Sequence, residues 1–132
     1  MVEIPADYID LMQQKKALAN LATLLRDGSP QVTPVWFDYT NGRVRVNTAK
    51  GRVKARTLRE GVPVAMSILD PDNPYRYLQI RGTVVRATEE GASAHIDSLA
   101  KKYLGQDKYP FAQPGEVRIM YEIEPQATQA MG

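Results

Sequence analysis

Apolar and polar residues alternate along the chain in short runs, and turn-forming residues separate those runs. The clearest run is Glu116-Val-Arg-Ile-Met-Tyr-Glu-Ile-Glu124, which predicts a strand with one buried face. Arg43-Val-Arg-Val46 alternates in the same way and predicts a strand through Thr48, with Val44 and Val46 inward. Ala17–Leu25, Gln31–Tyr39, Val62–Leu69 and Arg76–Ala87 complete a set of six predicted strands. The junctions have turn chemistry. Asp27-Gly28 and Asn41-Gly42 supply the positive φ that tight hairpins need, and Asp70 to Tyr75 holds two prolines among Asp and Asn. Pro34 removes a ladder donor, so its strand is irregular or at an edge there, and Gly82 marks a bulge or a close backbone approach. Helical spacing is confined to three places. Pro5 to Lys16 predicts a helix with Tyr8, Leu11 and Met12 on one face, packed on a sheet edge or a partner. A short helix is predicted from about Gly51, capped by Asn47 or Thr48. A third is predicted from a Thr88 cap to about Tyr103, with Ala92, Ile96, Leu99 and Tyr103 along one side. Short strands joined largely by hairpins predict a mainly β fold, a small six-stranded antiparallel barrel with peripheral helices.

Composition narrows the chemistry. The 132 residues predict one domain, 1–132, and a 43% hydrophobic, 24% charged composition is that of a folded globular chain. A net charge of +2 is too small to make nucleic acid or an anionic membrane the main partner. The absence of cysteine excludes disulfides and thiolate metal sites, and one histidine leaves no His-rich metal site. No apolar run has the length of a membrane-spanning helix, and the first residues carry acids where a signal peptide carries bases, so the expected location is the cytoplasm. His95 is expected to be an inert surface residue of the third helix. The pairs Glu89-Glu90 and Asp70/Asp72 sit in cap or turn contexts and are expected to be structural.

Charge is concentrated in one stretch. Lys50, Arg52, Lys54, Arg56 and Arg59 place five of the seventeen Lys and Arg residues within ten positions, and Glu60 is the only acid between Arg43 and Leu69. A strand running into a helix N-terminus among cations suits a phosphate, because free N–H groups and guanidinium pairs both favour negative charge. The competing reading is a solvated basic face. Helical spacing puts Arg52, Arg56 and Arg59 on one side and Lys50 and Lys54 near the other, so one regular helix cannot aim all five at one ligand.

Four segments in this order carry a resemblance: Leu21 to Trp36, Asn47 to Leu58, Ala65 to Leu69, and Ile80 to Val84. Together they resemble the pyridoxamine 5′-phosphate oxidase-like flavoproteins, the split β-barrel flavin or deazaflavin reductases. The short chain and the Gly-Arg-Val-Lys-Ala-Arg segment look most like the branch that uses coenzyme F-420, an 8-hydroxy-5-deazaflavin. The chain lacks the C-terminal substrate motif of the longer pyridoxamine phosphate oxidases. The resemblance implies that Gln31, Thr33, Pro34, Val35 and Trp36 lie beside the tricyclic ring. It implies that Asn47, Thr48, Arg52 and Lys54, with Lys50 and Arg56, surround the phosphate. It further implies a homodimer with each cofactor in a groove between subunits.

The expected function is therefore a coenzyme F-420-dependent oxidoreductase that reduces an electron-poor organic compound by hydride transfer. Two alternatives stand beside it: an FMN-dependent oxidase or reductase of the same fold, and a cofactor-binding or carrier protein without turnover. A nucleic-acid-binding barrel is disfavoured, because aromatics make up 8% of the chain and are not interleaved with the basic run. Tyr75, Tyr77, Tyr109 and Tyr121 are possible proton donors among which the sequence does not choose, and no metal is expected.

Overall fold

Residues 2–132 are described by a computed structural model. The sheet elements are β1 (Ala19–Leu24), β2 (Pro30–Val35), β3 (Asp38–Thr40), β4 (Arg43–Ala49), β5 (Pro63–Asp70), β6 (Asn73–Thr88) and β7 (Arg118–Met131). All pairings are antiparallel, and the spatial order is β2-β1-β5-β6-β7-β4-β3. The two edges of that order, β2 and β3, are consecutive in the chain. Val35 and Asp38 are three residues apart, about 11 Å of chain at most, so the sheet must curl until its edges nearly meet. No ladder joins β2 to β3. The result is a barrel with one open seam.

Seven strands replace the expected six because Gln31–Tyr39 is broken at Trp36-Phe37. Side chains of the last helix, α3 (Ala92–Leu104), take the polar groups of Phe37: the Tyr103 hydroxyl accepts from its N–H at 3.3 Å, and Lys102 Nζ donates to its carbonyl at 2.8 Å. Satisfied in this way, Phe37 needs no strand partner, and its ring is fully buried in the core.

Alternation in β1 turns Ala19, Leu21 and Thr23 inward, and Val44 and Val46 of β4 do the same opposite them. Leu11 and Met12 complete the core from α1 (Ile9–Gln13), which follows a 3₁₀ turn at Ala6–Tyr8 rather than forming one long helix from Pro5. Asp70 locks this end. It accepts from Lys15 at 2.7 Å and from Arg76 at 2.9 Å, and Arg76 also reaches Asp10 at 2.7 Å. Gly82 lies at a break in the β6–β7 register, and a Cβ there would overlap the Glu124 carbonyl. Thr88 does not cap α3. It ends β6 and accepts from the Glu90 N–H, and α3 begins after Gly91, whose φ of 76° makes the reversal. The final strand is longer than expected because β6 pairs with it as far as Met131.

Candidate functional site

The short helix α2 (Val53–Thr57) follows β4 and packs against β1 and β4, so it stands beside the open seam. Its N-cap is Arg52, which makes no capping bond through its side chain. The expected caps lie elsewhere: Asn47 and Thr48 belong to β4. The Asn47 amide is fully used. Its nitrogen donates to the Ala92 carbonyl at 2.9 Å and to His95 Nδ1 at 3.0 Å, while its oxygen accepts from Arg118 Nε at 2.8 Å. Asn47 therefore ties β4 to α3 and β7.

His95 is not a surface residue. It is buried between Asn47 and Asp38, and with Nδ1 accepting from Asn47, Nε2–H donates to Asp38 at 3.1 Å. Arg45 grips the same carboxylate with two bonds, 2.7 and 2.8 Å. Burial alone would raise the Asp38 pKa. The bonds from His95 and Arg45 outweigh it and hold the carboxyl at about 2. The helical periodicity of α3 could have found His95, since it falls one residue before the apolar Ile96, yet a single polar residue in such a row carries no signal of its partner.

The five cations separate. Lys50 is exposed and paired with Glu89 at 3.4 Å, and Arg52 is exposed at the helix start. Lys54 is half-buried and reaches across to β2, where the Thr33 hydroxyl accepts from Nζ at 3.2 Å. Burial, with the Arg52 charge nearby, depresses its pKa, and it has no carboxylate partner among the described residues. Arg56 and Arg59 turn to another face. With Arg26, which was not foreseen, they line a groove of about 860 Å³ floored by Leu24, Val53, Val62 and Pro63.

Of the β2 residues, Gln31, Thr33 and Val35 share one half-buried face and Pro34 lies on the exposed one. Edge position explains how β2 tolerates Pro34. Trp36 lies past the strand end and stacks on Tyr103 at 5.3 Å between centroids, with Tyr109 edge-on at 6.1 Å. Two buried polar atoms in the predicted set have no partner: Gln31 Oε1 and Thr48 Oγ1. Tyr121 is buried in the core, with its hydroxyl pKa raised by burial, and Tyr75 is exposed. No group of three or more His, Cys, Asp or Glu among the described residues could hold a metal ion. No helix among them is long and apolar enough to cross a membrane.

A half-buried cation of α2 without a carboxylate partner among the described residues, two orphaned polar atoms and an open barrel seam are features of a ligand site. Comparison with known proteins gives that site a relationship. An F420 reductase of known structure is similar over 96% of this chain and 98% of its own, at 32% identity and a TM-score of 0.82. A conserved hypothetical protein from Mycobacterium tuberculosis is 22% identical, with 99% and 86% covered and a TM-score of 0.74. A protein from Mycobacterium smegmatis, described as binding FAD and heme, is 17% identical, with 96% and 70% covered and a TM-score of 0.68. These last two show likeness of fold alone. No curated protein matches the sequence. Residues 9–132 match the family described as pyridoxamine 5′-phosphate oxidase, which takes in every strand, all three helices and the seam beside α2, and to that family the chain belongs.

Proposed function

We propose that the chain is a deazaflavin-dependent oxidoreductase, holding coenzyme F-420 beside the open seam, where α2 faces β2. The observation that carries this reading is Lys54, a partly desolvated cation whose one bond is to a hydroxyl. A buried cation without an anion is costly, and a bound phosphate would supply the missing charge. The orphans fit the same ligand: Gln31 Oε1 needs a donor, such as a ring N–H, and the Thr48 hydroxyl needs any polar partner. The choice of deazaflavin over FMN is supported by the similarity to an F420 reductase.

When bound, the reduced deazaflavin supplies a hydride for an electron-poor carbon. The protein's part is binding, orientation and exclusion of water. Lys54 neutralises charge at the start of α2, Thr33 fixes the direction of Nζ, and the Gln31–Thr33–Val35 row provides a half-buried wall. Asn47 acts indirectly: spent on Ala92, His95 and Arg118, it holds the end of β4 in place. A second reading, an FMN enzyme, uses the same cation and is favoured by the family match.

We also propose a homodimer. The outward row of β2, β1 and β5 carries Val32, Pro34, Asn20, Ala22, Ala65, Ser67 and Leu69, without one charge. Val32 is 64% exposed, which suits contact with a second copy, since an uncharged face meets itself without like-charge repulsion. Equilibrium titration of the full chain with the deazaflavin and with FMN tests the cofactor assignment. The expected result is tighter binding of the deazaflavin and reduction of an enone by the reduced coenzyme. Tighter FMN binding would transfer the assignment to the second reading, and deazaflavin binding without turnover of any acceptor would leave a carrier.

A further inference from the structure

We infer that the groove between the β1–β2 turn and α2 is a second ligand site, one that takes an amphipathic organic carboxylate. It involves Arg26, Arg56 and Arg59, not Lys54, and does not depend on the deazaflavin reading.

Five of the ten arginines hold carboxylates; Arg52 and Arg81, which lie outside the groove, do not among the described residues. Arg43 and Arg86 share Glu122, Arg45 holds Asp38, Arg76 holds Asp10 and Asp70, and Arg118 holds Glu116. Arg26, Arg56 and Arg59 have no carboxylate partner among the described residues, although all three line one groove. The acids adjacent in the chain are engaged elsewhere: Asp27 accepts from the Ser29 N–H at 2.9 Å and Glu60 from the Ala87 N–H at 3.1 Å. Three guanidinium groups around one depression favour a planar anion, and a carboxylate matches their fork of N–H donors.

The floor selects the rest of the ligand. Leu24 and Val53 are 51% and 39% exposed, and Val62 and Pro63 continue the same apolar surface. A wholly polar anion would leave that surface wet. An apolar body bearing one carboxylate covers it while its head meets the arginines. The volume of about 860 Å³ is within the usual range for small-molecule sites. Lys54 points to a different face of α2, toward Thr33.

The test is calorimetric titration of the full chain, without cofactor, with octanoate, 1-octanol and triglutamate. Octanoate is expected to saturate at one per chain, with octanol and triglutamate each at least tenfold weaker. Arg56→Ala should weaken octanoate at least tenfold, because a charge-assisted bond is lost. Val53→Asp, at an exposed first-turn position of α2 where a helix accepts an acid, should abolish binding by adding an anion beside the floor. Lys54→Ala should bind octanoate as the parent does, and all three variants should melt as the parent does. Octanol binding as tightly as octanoate, triglutamate binding more tightly, or unchanged affinity in both Arg56→Ala and Val53→Asp would each overturn the inference. Because no deazaflavin is present, such a failure leaves the cofactor assignment standing.

Discussion

Asp38 is the residue on which several elements converge. It belongs to β3, is gripped by Arg45 of β4 and accepts from His95 of α3. Its carboxyl is held at about 2, below the ordinary value of 3.8. A group shifted in this direction contributes stability that is complete above the unfolded value and is lost as pH falls through the folded one. The contribution is about 2 kcal/mol, present at neutral pH and disappearing between about pH 4 and pH 2. Asp38→Asn is therefore expected to be less stable than the parent by roughly that amount at pH 7, and the gap should close below pH 4. Denaturant melts of both proteins across this range check it, and a gap unchanged down to pH 2 would contradict it. None of this was legible in the sequence, where Asp38 is one acid in an apolar strand and His95 one polar residue on a helix. Their partners lie 7 and 57 residues away from Asp38, and no local pattern encodes such a distance.

Strands with one buried face were legible, because period-two alternation is local. Val44 and Val46 turn inward as the alternation predicted, and the Asn41-Gly42 turn joins β3 to β4. What failed was length and interruption. The Trp36-Phe37 break is made by Tyr103 and Lys102, far along the chain. The last part of β7, Ala127 to Met131, lacks strong alternation because it is largely exposed, and only pairing with β6 makes it a strand. The basic helix is shorter than its charge run, so its cations separate to different faces. Gly82 was legible as a close approach, and the structure names the neighbour as the Glu124 carbonyl. Gly82→Ala should cost about 1–3 kcal/mol, the usual range for overpacking in a rigid site. Urea denaturation measures it, and a loss below about 0.5 kcal/mol would mean that the β6–β7 bulge yields freely.

For the whole molecule, the fold was legible as a mainly β barrel, and its open seam is what gives the ligand reading a place. Assembly is the next property at this scale. If the uncharged outer row of β2, β1 and β5 joins two copies, Val32→Glu should convert a dimer to a monomer at micromolar concentration in sedimentation, because it buries two unpaired carboxylates at one interface. A parent chain that sediments as a monomer would contradict the homodimer, and a Val32→Glu protein that remains dimeric would move the contact to another face. The central claim is that Lys54, at the seam, anchors the anionic part of a deazaflavin. Its most direct test is titration of coenzyme F-420 into the parent, Lys54→Ala and Arg59→Ala. One charge-assisted hydrogen bond of about 1.5–3 kcal/mol predicts a ten- to hundredfold loss for Lys54→Ala, near-parent binding for Arg59→Ala, and no loss of thermal stability for either without the coenzyme. Parent-like binding by Lys54→Ala together with lost binding by Arg59→Ala would contradict the account and put the anchor in the arginine groove.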